Sequence, residues 1–288
     1  MTYAAFHTMG HLSYAGEPTG IIYGFLMRVL QLAEKFKTDD FMFCWDSGKQ
    51  SYRVEDYPEY KAKRIAKRDE FTPEQVRARH SLIEQSRTLS REVLPSMGFR
   101  NSYTQDRMEA DDLLGWWIQK LSKYDREVVM ITTDADMFQC LDHCCIWSPM
   151  KKKMFTRAKM VKKFSGTTPQ EWPTAKAIGG CSGDNVIGVA GVSDPKNDKS
   201  NVHKYLNGTL TKGVVFDRIE SDIGKAIIKR NLPLVTIPYQ PHLMKKMIRR
   251  RNFYTRKGLV NQFDRYRFVS FLKTENFRRW ERAFNIRR

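Results

Sequence analysis

Three short apolar runs in this chain each lead into carboxylates, and that pattern constrains the fold more than any other. Phe41-Met42-Phe43-Cys44-Trp45 is followed by Asp46; the run from Phe99 to Tyr103 is followed by Glu109, Asp111 and Asp112; Val128-Val129-Met130-Ile131-Thr132 is followed by Asp134 and Asp136. Apolar runs of about five residues bounded by turns read as buried strands. Six like charges at one edge of a sheet repel unless something positive lies between them. Oxygen-only ligands with open positions suit Mg or Mn better than zinc. The pattern therefore calls for a divalent metal at the strand ends.

The segments between these runs read as helices. Residues 19–37 place Ile22, Phe25, Leu26, Val29, Leu32, Ala33 and Phe36 at helical spacing, with Thr19 as N-cap. Thr72-Pro73-Glu74-Gln75 is a helix start, with a Thr cap, Pro at the first helical position and Gln three residues after the cap. That helix should run to about residue 94 and stop at Pro95 and Gly98. A helix from about 108 to 122 and a short strand at 145–148 complete the pattern. Strands alternating with helices predict an α/β fold with a mostly parallel central sheet covered by helices on both faces, and ligands then bind beyond the carboxyl ends of the strands. From about residue 169 the chain reads as short helical pieces, with a strand only at 234–237.

Glu109-Ala110-Asp111-Asp112 opens a helix, so Glu109 and Asp112 share a face. Carboxylates in a first turn also complement the helix dipole. Two Asp alternating directly after a strand, Asp134 and Asp136, favour the metal, because packing alone does not offset their repulsion. Two divalent ions about 4 Å apart can activate a water and stabilise a leaving oxygen in phosphodiester hydrolysis. Gly180-Cys181-Ser182-Gly183-Asp184-Asn185 and Gly188-Val189-Ala190-Gly191-Val192 predict a tight hairpin between two helices, whose backbone N–H groups can bind a phosphate and whose Asp184 can reach the metal.

Charge points to the substrate. The chain has 288 residues, with 50 Lys plus Arg against 32 Asp plus Glu, a formal net charge of +18. Such an excess favours a polyanion, nucleic acid foremost. Between residues 49 and 68, Lys49, Arg53, Lys61, Lys63, Arg64, Lys67 and Arg68 alternate with Tyr52, Tyr57 and Tyr60, a mixture that can track phosphates and stack on bases, or form a solvated face. The stretch after residue 244 carries a further basic excess from Lys245 to Arg288. No run of eighteen apolar residues and no secretory leader occur, so the expectation is a cytoplasmic, non-membrane protein. The five cysteines are odd in number and unevenly spaced, and Cys140, Cys144 and Cys145 with His143 lack the second segment of a zinc site; they read as packing thiols.

Taken together, these residues resemble the 5'-nuclease superfamily, the flap endonucleases and the 5'-3' exonuclease domain of bacterial polymerase I, in its phage and bacterial members. The resemblance runs from about Tyr3 to Val192 and is carried by Gly16-Glu17-Pro18-Thr19-Gly20, Asp46, Arg53, Tyr57-Pro58-Glu59-Tyr60-Lys61, Arg64, the two acidic motifs, and Gly183-Asp184-Asn185 with Gly188-Val189 and Gly191-Val192. It implies a PIN-like nuclease core (residues 1–168) carrying a helical arch at about 49–97, then a helix-hairpin-helix region and basic helical tail (169–288). It implies two Mg ions, replaceable by Mn, with Asp46, Glu109 and Asp111 serving one and Asp112, Asp134, Asp136 and Asp184 serving or supporting the other, and a K ion at the hairpin. Lys61 would meet the scissile phosphate, Arg53, Tyr60 and Arg64 would steer substrate, and Gly188, Val189 and Gly191 would grip the duplex. Asp111, Asp134 and Lys61 form the catalytic set. The implied activity is structure-specific cleavage at 5' flaps or 5' ends of DNA, and of RNA primers in hybrids, by a monomer working beside replication or repair proteins in a bacterial or phage-infected cell.

Two departures accompany the resemblance. Family members begin with a central strand ending in Asp-Gly, and this chain starts just past it; Cys181 stands where the family has Asp. An active nuclease, a binding protein of the same fold with impaired catalysis, and a coding sequence read from too late a start are the readings these departures leave open. A toxin-type ribonuclease with a similar carboxylate cluster would lack both the Lys61 arch and the hairpin.

Overall fold

The computed structural model of the chain describes residues 1–10 and 12–286, so Arg287 and Arg288 of the basic stretch lie outside the described residues. Two compact units are built from interleaved stretches: Met1–Trp45, Phe71–Thr104 and Lys246–Arg288 in one, Asp46–Glu70 and Gln105–Lys245 in the other.

The first unit is organised around the helix Gly20–Phe36. Its buried face packs Ile22, Phe25, Leu26, Val29, Leu30 and Ala33 against Leu89, Val93, Leu94 and Met97. Thr19 is at the N-cap, but its side chain makes no capping bond. Gln85 does that work instead, its Oε1 accepting the N–H groups of Ile21 (3.0 Å) and Ile22 (3.2 Å). The helix Pro73–Thr88 starts with the expected reciprocal capping box of Thr72 and Gln75. Pro95 does not stop it: the chain widens into a π turn at Leu89–Val93 and continues as Leu94–Met97. The wide turn accommodates a proline that has no N–H to give. Gly98 then ends the helix at φ 101°, where an added Cβ would lie 1.9 Å from the Phe253 carbonyl oxygen.

The basic C-terminal stretch is not a tail. Its helices Arg256–Arg265, Val269–Leu272 and Thr274–Ala283 send Leu259, Phe263, Phe271, Phe277 and Trp280 into the same core, with Trp280 fully buried. The aromatic residues at helical spacing between the charges, not the charges themselves, decide where this stretch lies.

In the second unit, Val129–Ile131 pairs in parallel with Cys145–Ser148, which pairs antiparallel with Lys153–Phe155. In the first, Phe43–Cys44 pairs in parallel with Ser102–Tyr103. The parallel pairings agree with expectation, but the strands form separate short ladders, not one central sheet, and helices dominate. Each ladder ends where its chain turns to present a carboxylate: Trp45 N–H still reaches the Tyr103 carbonyl (3.0 Å) one residue before Asp46, and Thr132 N–H reaches Trp147 (3.2 Å) two residues before Asp134.

Two further expectations change. Residues 234–237 are not a strand: Ser221 caps a helix, Asp222–Val235, whose last turn buries Leu234 and Val235. The Gly-rich segment does not turn directly into a second helix. After Trp172–Gly179 and a single 3-10 turn at Ser182–Asp184, the next helix is Asn201–Leu206. Residues 193–200 between them are irregular, since Pro195 cannot donate to a helical ladder, and Ser200 Oγ closes the loop on the Ser193 carbonyl at 2.7 Å. Among the described residues no helix is long and apolar enough to cross a membrane.

Candidate active site

Every acidic residue expected to serve a metal, Asp46, Glu109, Asp111, Asp112, Asp134, Asp136 and Asp184, lies in the second unit. Glu109 caps the helix Ala110–Leu121 and exchanges bonds with Asp112 three residues on, so the acidic motif builds its own helix start. Asp46 Oδ1 accepts the Ala110 N–H at 2.9 Å, which ties the first acidic segment to the second. Asp134 Oδ1 accepts the Asp136 N–H at 2.9 Å, which fixes the turn after Val129–Ile131. The consequence is concentrated at Asp111. Burial, followed by the charges of Asp134, Asp46 and Glu109, pushes its carboxyl up to about 8. The charges of Asp134, Asp46 and Glu109 all act on Asp111, and Lys61 works against them.

Lys61 is held from both ends. Its backbone is left-handed (φ 59°) and its N–H donates to the Asp184 carbonyl at 2.8 Å, while Nζ reaches Glu109 Oε1 at 2.7 Å. Tyr60 is buried, and its hydroxyl donates to Glu109 Oε2 at 3.2 Å. Burial works against a charge on Glu109, but Lys61 and Arg53 hold its carboxyl below the usual range.

Asp112 and Arg53 adjoin this group through Glu109, whose Oε2 lies 3.7 Å from Arg53 Nη1 and whose N–H donates to Asp112 Oδ2 at 3.3 Å. Both are buried, and Asp112 accepts Arg53 Nη1 and Nη2 at 2.7 Å each and the Tyr239 N–H at 2.8 Å. Arg53 Nε donates to the Leu234 carbonyl at 2.9 Å, so its guanidinium is committed to the interior rather than to a substrate surface.

A second cluster gathers Asp136, Cys181 and Asp184, each offering a ligand atom within 4.8 Å of the others. Cys181 Sγ lies 3.9 Å from Asp136 Oδ2 and 3.5 Å from Asp184 Oδ2. Burial and then Asp136 push the thiol up to about 11. The other oxygens are already matched by cations. Asp136 Oδ1 meets Lys176 Nζ at 2.9 Å and Lys196 Nζ at 3.7 Å, and Asp184 Oδ1 meets Arg64 Nη2 at 2.8 Å and Lys61 Nζ at 3.9 Å. Burial of Lys176 works against its charge, but Asp136 beside it more than reverses that and holds the ammonium protonated above the usual lysine range.

The model of the 5'-3' exonuclease N-terminal resolvase-like domain matches residues 1–165, more than half of the chain. The chain belongs to this 5'-3' exonuclease family. Similar family proteins include DNA polymerase I of Streptococcus pneumoniae, 31% identical over 186 residues that make up 62% of this chain and 20% of the polymerase. A 5'-3' exonuclease of Aquifex aeolicus is 28% identical over 206 residues, 70% of this chain and 66% of that protein. The chain thus spans about a fifth of the length of the polymerase it matches. Among solved structures, zinc-bound T5 5'-exonuclease superposes with a TM-score of 0.67 at 22% identity, covering 82% of this chain and 86% of that one. A T5 D15 flap endonuclease in a pseudo-enzyme-product complex with DNA and metal ions gives 0.62 at 22% identity over 74% and 79%. At these identities the likeness establishes the α/β nuclease fold.

Within this family chain, the residues expected to grip nucleic acid divide by exposure. Arg64 is exposed, with Nε on the Gly183 carbonyl at 2.7 Å. Val189 is buried among Ala175, Ile178 and Val202. Gly188 is required by close backbone approach, since an added Cβ would lie 2.4 Å from the Gly179 carbonyl carbon. Gly191 has φ 83° and borders Arg218. Cys140 and Cys144 are buried thiols, as expected from their spacing. Lys176 and Lys196 were missed by sequence reading. The signal for Lys176 was available: it is the one cation in Trp172–Gly179, among Trp172, Ala175, Ala177 and Ile178, and a buried lysine needs a partner.

Proposed function

We propose that the chain is a metal-dependent, structure-specific 5' nuclease that hydrolyses phosphodiester bonds in DNA bearing a 5' flap or 5' end. The observation that carries this reading is the convergence of Asp46, Glu109, Asp111 and Asp134 with Lys61 as their close cation. Burial first, and then the charges of Asp134, Asp46 and Glu109, raise the Asp111 carboxyl to about 8, so a cation held beside it would relieve a cost that Lys61 only partly offsets. These four residues fit a hard divalent cation, Mg by the chemistry of its oxygen donors. Held there, such an ion would supply an acidified water and polarise a phosphoryl oxygen.

The remaining roles belong to the chain itself. Lys61 stands beside Glu109 and offers a positive charge to the phosphoryl oxygens as charge builds on them. Tyr60 fixes Glu109 from the other oxygen. Exposed Lys63, Arg64, Lys67 and Arg68 on Ala62–Asp69, a helix that buries no side chain, steer the phosphate backbone toward the carboxylates. Arg53 and Asp112 brace the start of the helix Ala110–Leu121 through their buried ion pair.

The test is cleavage of a 5'-flap DNA duplex in Mg by the 288-residue chain and by Asp134→Asn. Cleavage by the parent and loss of at least about a hundredfold in rate by the variant is the expected result. Flap binding without turnover in Mg or Mn would replace the enzyme by a binding protein of the same fold.

A further inference from the structure

The family resemblance implies a second metal ion served by Asp112, Asp134, Asp136 and Asp184, and the residues around that position do not suit one. Asp112 is consumed by Arg53. Cys181 offers a soft thiol sulfur in place of a carboxylate, a poor partner for a hard divalent ion. The two carboxylates left on the hairpin side, Asp136 and Asp184, face Lys176 and Arg64 at 2.9 and 2.8 Å, with Lys196 at 3.7 Å and Lys61 at 3.9 Å. Lys176 is fully buried on the rigid helix Trp172–Gly179, so its ammonium cannot retreat to solvent as a surface lysine would. Lys176, Lys196 and Arg64, with Lys61 shared with Glu109, surround Asp136, Asp184 and, 3.9 Å from Lys176 Nζ, Asp194, and these four cations leave no excess negative charge to attract a doubly charged ion.

We infer that this chain binds one divalent ion, on the Asp46, Glu109, Asp111 and Asp134 group, and that the buried Lys176 ammonium takes the electrostatic place of the second. The inference rests on the metal-dependent reading above and goes beyond it in the number of ions. A fixed lysine supplies positive charge near the hairpin without acidifying a water, so the step served by the second position is charge neutralisation alone.

The experiment is the stoichiometry of Mn2+ bound by the whole chain, counted from free Mn2+ by electron paramagnetic resonance in the absence of DNA. One ion per chain is expected. Asp111→Asn should weaken its binding by about tenfold or more, since it removes a charge from the group. Asp136→Asn should leave the count and affinity of that ion unchanged. Cys181→Asp combined with Lys176→Met should raise the count to two. Two ions of similar affinity on the parent chain, with one lost in Asp136→Asn, would overturn the inference while leaving the nuclease reading intact. No bound Mn2+ at all would overturn both. The parent count and Asp136→Asn decide the matter even if the double variant does not fold.

Discussion

Arg53 and Asp112 form a buried, two-pronged ion pair, with Nη1 to Oδ2 and Nη2 to Oδ1 both at 2.7 Å. The Leu234 carbonyl accepts Arg53 Nε–H and Asp112 Oδ1 accepts the Tyr239 N–H, so the pair joins three stretches of the second unit: 53, 112 and 234–239. Removing one partner strands the other's charge in the interior. Asp112→Asn or Arg53→Met should therefore cost about 3–5 kcal/mol, whereas the double change to Met and Leu should cost less than either. Urea unfolding of the three variants measures this. A role confined to ligand or substrate contact would instead leave the midpoint unmoved.

Lys61 is placed by backbone as well as by charge. Its left-handed conformation and the bond from its N–H to Asp184 keep Nζ near Glu109 independently of the side chain's own pairing. Lys61→Met should lower kcat on flap DNA by about 10²–10³, with little change in DNA affinity, as expected for a charge that matters most in the transition state. Single-turnover rates beside equilibrium binding separate the two effects. Equal losses in both would return Lys61 to the role of a ground-state phosphate contact.

The C-terminal helices make a different prediction from the one their charge suggests. Deleting residues after Met244 would remove Phe263, Phe271, Phe277 and Trp280 from the first unit's core. The expected outcome is loss of folding of that unit, not a softened salt dependence of DNA binding. Trp280→Ala is the graded version and should cost about 3–5 kcal/mol. Thermal unfolding followed by near-ultraviolet circular dichroism reads it directly.

How much of this was legible beforehand follows from the range of the interactions involved. The Thr72 and Gln75 capping box, the helix begun by Glu109 and the strand Cys145–Ser148 are set by neighbours a few residues apart, and all three are found. Asp46, Glu109, Asp111 and Asp134 could be singled out because each lies a few residues beyond an apolar run, although the single sheet edge that this pattern suggested is not formed. What could not be read is pairing at long separation. Nothing local tells that Arg53 turns inward to Asp112, 59 residues away, or that Lys176 meets Asp136. Charge counted along the sequence likewise misled at the C-terminus, where alternating aromatic residues carry the fold and the arginines line its outside.

His203 supplies a pH test remote from the carboxylates. Its side chain is buried, with Nδ1 2.9 Å from Thr167 Oγ1 and Nε2 2.9 Å from the Pro195 carbonyl. The neutral ring satisfies both: Nε2–H donates to Pro195 and Nδ1 accepts the Thr167 hydroxyl. Burial lowers the folded-state value below the ordinary 6.5, outweighing the backbone carbonyls of Pro195 and Asn197. The unfolded chain therefore binds a proton that the folded one refuses. This stabilising contribution is fully present above about pH 6.5 and is lost as pH falls through the lower folded value, at a slope of up to about 1.4 kcal/mol per pH unit. His203→Gln can keep one of the two hydrogen bonds but cannot titrate. Its urea midpoint should start lower at pH 8 and fall less steeply than the parent's between pH 6.5 and 5, the two curves converging on the acid side. Parallel curves over that interval would show that His203 takes no part in the acid sensitivity of the second unit.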